Sequence, residues 1–478
     1  MKKMNRTTSS LVALLALVLT GCAAGPDFVA PMPPQANRFT REPVTLAQAQ
    51  TFSPDSQVAH DWWAAYGSPE LNQRVARALA NNPTIEVALA NLKIAQASVT
   101  AQRGFFYPTV QAGFSVSQQN VGQSVSSPLA SNASVYSFQS AQLSVGFVPD
   151  LFGGNRRQVE SLLANQEVQA YQLDALRTTL ASNVVATALQ EASLEAQIQL
   201  TKQAIALATE QLQHVRGMHA HGYLSAIDVA QQENALTQIQ QALPVLQKQW
   251  QQTRNLMAVL CGHTTDQELP SLSLDTVQLP ARLPAAIPSQ TIAQRPDVRA
   301  AQAMVHASSA QVGVAQANRL PQFQISAILG GGATTLAQMF SPDNTFWSLG
   351  ASIAQPIFSG GTLLARKRAA EAALDASKAQ YRSTVLTAFQ NVADTLYALA
   401  SDGKVLEIAS ASQAANRRTL MLTQSQFAQG YSARPAVLAS QQADLQSQVN
   451  YQAAYAIYLG DTVALYQALG GGFKSEAP

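Results

Sequence analysis

The sequence predicts a mixed α and β fold: a trimeric 12-stranded transmembrane β-barrel to which each chain gives four strands, continued by long α-helices and built from an internal duplication. Three observations predict it. A unit of about 210 residues occurs twice. Each copy holds two segments of about ten residues in which apolar and polar residues alternate. Each copy also holds a helical run of about sixty residues.

Composition sets the background. The 478 residues carry 30 Lys+Arg against 28 Asp+Glu, a net charge of +2, which implies no polyanion-binding surface and gives no reason to expect nucleic acid as a partner. Charged residues are only 12% of the chain, against roughly 25% in ordinary soluble domains. The missing charge has become Gln, Ser, Thr and Ala, giving a polar but uncharged surface. Length alone would fit about three domains of ~150 residues, and two cysteines exclude a disulfide scaffold.

Residues 1–21 read as a signal peptide: Lys2, Lys3 and Arg6 precede an apolar run from Leu11 to Leu19, too short to span a bilayer. Leu19-Thr20-Gly21-Cys22 resembles the bacterial lipobox, which implies acylation of Cys22 and anchorage in lipid. Ala23 is not the Asp that in many lipoproteins signals inner-membrane retention, which by that resemblance favours the outer membrane. Cys261 is then without a partner and is read as a small buried apolar residue near a helix end.

Residues 22–75 form an arm, extended to about Asp61 because Pro26, Pro31, Pro33 and Pro34 forbid a helix there. Trp62 and Trp63 are expected to pack this arm on the body. No later segment has 18 consecutive apolar residues, so any crossing of a membrane by the body must use strands.

The duplication is read from matched landmarks. Asn82-Pro83 falls on Arg295-Pro296 (296 − 83 = 213) and Tyr107-Pro108 on Leu320-Pro321 (321 − 108 = 213). Leu151-Phe152-Gly153-Gly154 matches Ile357-Phe358-Ser359-Gly360, and Gly222-Tyr223 matches Gly430-Tyr431 (430 − 222 = 208). Leu260-Cys261-Gly262 recurs as Leu469-Gly470-Gly471. The first repeat is assigned to residues 76–269, a Pro-rich linker and equatorial segment to 270–290, the second repeat to 291–471, and a C-terminal tail to 472–478.

Each repeat reads as helix, strand, strand, long helix, turn, long helix. From Pro83, Ile85, Leu89, Leu92 and Val99 keep helical spacing to Gly104. After Pro108 the period becomes two. Val110, Ala112, Phe114 and Val116 form one face of the first strand, and Ala141, Leu143, Val145 and Phe147 one face of the second. The second repeat supplies Phe323, Ile325, Ala327 and Leu329, then Trp347, Leu349, Ala351 and Ile353.

Four strands cannot close a membrane barrel and open edges are not tolerated in lipid, so the chain must oligomerise. Two copies would give an eight-stranded barrel filled by side chains; three give twelve strands and room for a lumen. The long helices are expected from about Arg156 to His214 and from Gly361 to Phe427. They carry seams such as Leu173, Leu176, Leu180, Val184, Leu194, Ile198, Ile205 and Leu212. Pro244 should kink a return helix locally.

Several short motifs stand in order on this frame. They are Cys22-Ala23-Ala24-Gly25-Pro26-Asp27-Phe28, Trp62-Trp63 with Pro69-Glu70-Leu71, Asn81-Asn82-Pro83, Asp150-Leu151-Phe152-Gly153, and Gln355-Pro356-Ile357-Phe358-Ser359-Gly360-Gly361. Together they resemble the TolC/OprM-type outer-membrane efflux channels, in their lipid-anchored branch, the NodT family of outer-membrane factors of RND efflux systems. The resemblance covers nearly everything after Gly21. It implies a homotrimer with a periplasmic α-helical tunnel, acting as exit duct of a tripartite pump. Its partners would be a periplasmic adaptor (membrane fusion protein), an inner-membrane transporter of the RND class, and outer-membrane lipid.

By the same resemblance, the turns Gly217 to Ser225 and Gly430 to Pro435 are periplasmic tips. Gly222, Tyr223, Leu224, Ser225, Gly430, Tyr431 and Ser432 would meet the adaptor. The family commonly places carboxylates after the second tip; here the stretch is Ala436-Val437-Leu438-Ala439-Ser440. Asp228, Ala436 and Ala439 are therefore the candidate gate positions, with any acidic ring supplied by Asp228 and closure otherwise by packing and neutral hydrogen bonds. His214, His219 and His221 near the first tip are read as solvated turn residues, and no metal or cofactor is expected. Arg417 and Arg418, in the helix approaching the second tip, are read first as solvated, with pairing to carboxylates across helices as the alternative.

No phosphate loop, His-Glu-x-x-His or nucleophile elbow occurs, so no enzyme is expected. The alternative to a channel is a lipid-anchored coiled-coil adaptor or structural protein of the periplasm. Strands inserted in both repeats argue against it.

Overall fold

The two repeats fold into matching sets of elements of nearly matching lengths. The computed structural model describes residues 23–32, 36, 38–44, 46, 50–53, 58–122, 131–267, 270–284 and 288–473. In chain order the elements are β1 (Thr51–Ser53), α1 (Pro69–Asn81), α2 (Pro83–Arg103), β2 (Thr109–Asn120), β3 (Val135–Phe147), α3 (Gly154–Ala220) and α4 (Ala226–Leu260). Then follow β4 (Arg282–Pro284), α5 (Pro288–Gln294), α6 (Pro296–Ala317), β5 (Gln322–Ala333), β6 (Thr345–Ala354), α7 (Thr362–Ala428) and α8 (Arg434–Ala468).

The counterparts α3 and α7 are both 67 residues long, and α4 and α8 both 35. At ~1.5 Å per residue the longer pair each extend about 100 Å. α3 exceeds the helix expected from the sequence at both ends, whereas α7 has the expected length and is displaced by a single residue. α4 runs uninterrupted through Pro244. The sequence reading missed α1, although Ser68 accepts a hydrogen bond from the Leu71 amide and Pro69 opens the helix.

A joint inside each repeat shows the duplication independently of sequence. The Asn82 side chain, at the start of α2, donates to the Leu260 carbonyl at the end of α4 (2.9 Å). At the corresponding places Arg295 donates to the Ala468 carbonyl at the end of α8 (2.6 Å). The contact has been kept while the residue that makes it changed.

The chain forms two compact units. One holds the described residues up to Pro31 and those within Asn91–Gln169 and Ala301–Tyr381. Within it the four long strands make one antiparallel sheet in the order β2-β3-β5-β6. Among the described residues β2 and β6 are each paired along one side only.

The other unit holds Met32–Ala90, Ala170–Ala300 and Arg382–Pro478. Its core is the seam of α3, where Leu173, Leu180, Val184, Leu194, Ile198 and Leu212 are buried and Leu176 and Ile205 half-buried. The arm closes on α8: Trp62 stacks on Tyr466 (4.9 Å between centroids) and the Tyr66 hydroxyl shares a hydrogen bond with Thr462 (2.6 Å). Burial pushes the Tyr66 hydroxyl well above its usual pKa.

The short strand β1 pairs parallel with β4, so the arm and the linker between repeats share a two-stranded ribbon that the sequence did not announce. Cys261 is fully buried against the Arg74 carbonyl, and burial raises its thiol pKa, which suits a packing role.

Two ionic features of this unit are buried or half-buried. Arg74 on α1 pairs with Glu191 on α3 at 2.6 Å, both side chains 3% exposed, with Arg254 at 3.7 Å from the same carboxylate. Asp461 on α8 is half-buried beside Asp402 on α7, and burial together with that neighbouring carboxyl lifts its pKa to about 7. An unfolded Asp titrates near 3.9, so the fold favours the protonated form. With respect to this group, stability is fullest below about pH 4 and is lost as pH rises through about 7. The expected result is that Asp461→Asn raises the thermal midpoint of the detergent-purified protein at pH 8, on the order of 2 °C. At pH 5 the gain should shrink, and an equal gain at both pH values would count against the raised pKa of Asp461.

Candidate functional site: the sheet, the hairpin turns and the arm

Period-two alternation assigns each strand two faces, and the ladder register decides whether those faces agree across the sheet. They do. Val110 lies opposite Val145, Val145 opposite Ala327 and Ala327 opposite Leu349. The next row of that face is Ala112, Leu143, Leu329 and Trp347. This apolar face is exposed in the single chain, with Trp347 at 76% and Leu349 at 71%. A water-facing sheet would not carry such a surface; a lipid-facing one requires it.

The opposite face carries mainly Ser, Gln and Gly. Ser115 and Ser140 share a hydrogen bond across strands (2.8 Å), and Tyr136 donates to Gln119 (3.0 Å).

The hairpin turns follow one design with one difference. Each long helix ends in a left-handed glycine followed by tyrosine, Gly222 (φ 80°) and Gly430 (φ 81°). The Gly222 amide donates to the His219 carbonyl and that of Tyr223 to Met218; Gly430 and Tyr431 repeat this with Phe427 and Gln426. These are Schellman caps, which satisfy the last carbonyls of each helix. Tyr223 and Tyr431 stand exposed.

The first turn is shorter than the Gly217 to Ser225 expected, because Gly217 is helical and α3 runs to Ala220. His214 and His219 thus lie on the helix rather than in a loop, and a His219 ring nitrogen meets the Leu224 carbonyl (2.8 Å). The second turn ends before Arg434, placing Pro435 in the first turn of α8.

The difference lies in how the return helices begin. Ser225 caps α4 in a capping box: its hydroxyl accepts from the Asp228 amide, while the Asp228 carboxylate accepts from the Ser225 amide (2.8 Å). Hydrogen bonds from Ser225 hold the Asp228 carboxyl below its usual pKa. The corresponding positions of α8 are Ala433 and Ala436, so both halves of the box are missing there and Ala433 makes no side-chain cap. The absent acid at Ala436 is therefore a lost cap as well as a lost charge. Ala436 and Ala439 are exposed, and Val437 and Leu438 between them are buried.

Ion pairs tie the helices near these turns. Arg434 on α8 meets Glu210 on α3 (2.5 Å), and Arg216 meets Glu233 within the first hairpin (2.6 Å). Arg417, itself exposed, takes the alternative of a pair across helices. It reaches Asp444 on α8 at 3.2 Å, a carboxylate only 4% exposed that also accepts from Gln448 (2.8 Å). Sequence spacing could not pair them, since they lie on different helices of the hairpin.

Cys22 and the signal peptide lie outside the described residues, but the arm just after Cys22 is fixed. The Ala24 amide donates to the Phe152 carbonyl (2.9 Å). Arg157 donates to the Ala24 carbonyl (3.2 Å) and to Asp27 (2.7 Å), and Phe28 stacks on His306, which meets Glu160 at 2.9 Å. Gly313 on α6 makes room for it: a Cβ there would lie 2.8 Å from the Ala24 carbonyl oxygen. The motif Gly25-Pro26-Asp27-Phe28 is thus a docking strip set against the β3–α3 junction.

A sheet with a lipid-type face and a polar face, in a chain whose longest helices each extend about 100 Å, is the architecture of an outer-membrane channel protein. The chain belongs to the outer membrane efflux protein family, whose model matches residues 75–263 and 287–471. It is 30% identical over 439 residues to the pyoverdine export outer membrane protein OpmQ of Pseudomonas putida, covering 91% of this chain and 92% of that one. It is 29% identical to the antibiotic efflux pump outer membrane protein ArpC of Pseudomonas putida, over 98% of this chain and 97% of that one. The solved outer-membrane channel OprN superposes with a TM-score of 0.81 at 26% identity, covering 94% of this chain and 99% of that one. The chain is accordingly an efflux component of the outer membrane, in a family of transport proteins rather than enzymes.

Proposed function

We propose that three copies of the chain, each held in outer-membrane lipid through acylated Cys22, form the exit channel of a tripartite efflux pump. The observation that carries this is the sheet: four strands with an exposed apolar face and, among the described residues, unpaired outer sides on β2 and β6. Lipid tolerates no such margins, and three copies give the smallest closed barrel with a usable lumen. The exposure of Ile408, Met421 and Leu422 on α7 supports a neighbouring copy along the helices as well.

The turns at Gly222, Tyr223, Leu224 and Ser225 and at Gly430, Tyr431 and Ser432 meet a periplasmic adaptor, which links the channel to an inner-membrane transporter of the RND class. The gate lies in the turns and the helix starts at Asp228, Ala436 and Ala439. With Asp228 engaged by Ser225 and alanine at both other places, closure rests on packing, on neutral hydrogen bonds and on the ion pairs Arg434–Glu210 and Arg417–Asp444. One relative is named for pyoverdine export and another for antibiotic efflux. That difference on one frame favours cargo selection by the transporter.

The test is the mass and single-channel conductance of the detergent-purified, acylated protein. A trimer with low, brief openings is expected, and Arg417→Ser with Arg434→Ser should lengthen them severalfold. A monomer that leaves bilayers silent would overturn the channel reading.

A further inference from the structure

We infer that each copy of the chain holds one acyl chain of an outer-leaflet lipid in a recess of its apolar sheet face, beneath a wall made by the turn between β5 and β6. This rests on that face lying in the membrane, as just proposed, and adds a bound lipid to it.

Three glycines that alternation does not explain build the wall. Gly330, Gly331 and Gly332 lie near the end of β5, and at the offset of 213 between β5 and β2 (322 − 109) the first repeat has Ser117, Gln118 and Gln119 instead. Gly331 belongs to the apolar face, in the row Phe114, Ala141, Gly331 and Thr345. A Cβ there would collide with the Met339 carbonyl, so glycine is what lets the turn fold back onto that face. On the polar face Gly330 and Gly332 make room for rings, since an added Cβ would come 3.0 Å from Phe346 and 2.7 Å from Phe138.

The turn is knit by its own hydrogen bonds. The Gln338 carbonyl accepts from the Ser341 amide (3.1 Å), the Ser341 hydroxyl (2.9 Å) and the Asn344 side chain (2.9 Å), and the Thr345 hydroxyl donates to the Pro342 carbonyl (3.1 Å). Met339 is buried, while Phe340 stands 69% exposed at the lip. Between Phe340 and a floor of Ala112, Phe114, Ala141, Leu143 and Leu329 lies a recess of about 590 Å³, within the ~300–1,000 Å³ of ordinary ligand pockets. Sheet and turn are both held by hydrogen bonds, so the recess does not close by collapse. Left empty in lipid it would forfeit dispersion contacts along both walls, and a flexible hydrocarbon chain is what lipid offers to fill it.

Place and charge select the occupant. The long helices α3 and α7 begin at the other end of the strands, the periplasmic end, so the β5–β6 turn lies at the outer leaflet. Ala23 lies against Gly153, also at the helix end. An acyl group on Cys22 therefore starts a strand length away from the recess, and a 12-residue strand spans about 40 Å. Neither residues 334–344 nor residues 121–134 between β2 and β3 contain Lys or Arg, so these turns give a lipid phosphate no cation to pair with. The recess takes the chain of the lipid and not its head group.

The test uses the acylated protein reconstituted in vesicles of phosphatidylethanolamine that carries a diazirine midway along one acyl chain. Photolysis and peptide mass mapping should label Leu143 and Leu329 about fivefold more than Ile325 and Ile353, which lie on the same face nearer the helices. Ala141→Phe, which fills the recess, and Phe340→Ala, which removes its lip, should each bring the two sets level, with heat-modifiable migration certifying that the variant has folded. Level labelling in the parent, or an excess that survives both variants, would overturn the site. A recess left unlabelled beside labelled Ile325 and Ile353 would overturn it too, by showing that a neighbouring copy covers it. An apolar face unlabelled throughout would instead overturn the membrane reading on which the site rests.

Discussion

Replacing Arg74 by methionine should cost about 3–5 kcal/mol of stability, because it strands a carboxylate in the protein interior. Glu191 is 3% exposed and its short partner is Arg74; among the described residues Arg254, 3.7 Å away and 29% exposed, is the other cation paired with it. Arg74 also donates to the Pro270 carbonyl, so the same change frees the linker that follows the first repeat. The double variant Arg74→Met with Glu191→Met should recover most of the loss, since removing both charges removes the desolvation cost along with the attraction. Denaturant titration of the purified protein checks this. A single-variant loss below about 1 kcal/mol would mean that Arg254 moves in to compensate.

Gly313→Val should release the arm, at a cost of about 1–3 kcal/mol of the kind that overpacking exacts. The added side chain collides with the Ala24 carbonyl oxygen and with the Arg157 stem, both 2.8 Å from the first added carbon. With Ala24 displaced, the hydrogen bonds to Phe152 and Arg157 go together. Limited proteolysis should then cut between residues 23 and 32 in the variant and spare the parent. Asp27→Ala should do much less, because the Asp27 carboxylate is 94% exposed and its pair with Arg157 is largely solvated. Equal protection of the parent and Gly313→Val would show that the arm is held elsewhere.

What the sequence made legible follows from the range of the forces involved. Alternation over Val110 to Val116 and heptad-like spacing from Leu173 to Leu212 are local signals, and the structure contains the strands and helices they point to. The positions of the turns were off by a few residues because Gly217 looks like a helix end in sequence; only Gly222 adopts the left-handed backbone that makes one. The pairs Arg417–Asp444 and Arg74–Glu191 join residues 27 and 117 positions apart, and neither spacing carries a local signature. Asp228 was read for its charge. Its capping geometry could have been found in the sequence, since Ser225-x-x-Asp228 precedes a helical run, with Asp in the place usually taken by Glu or Gln.

The joint made by Asn82 in one repeat and Arg295 in the other bears on ancestry. A contact kept through a change of residue is older than the change, so the single half that was copied already fastened its short helix to the end of its long hairpin. Once copied, the two hairpin turns of one chain were free to differ, and they do so where the first has Ser225 and Asp228 and the second has Ala433 and Ala436.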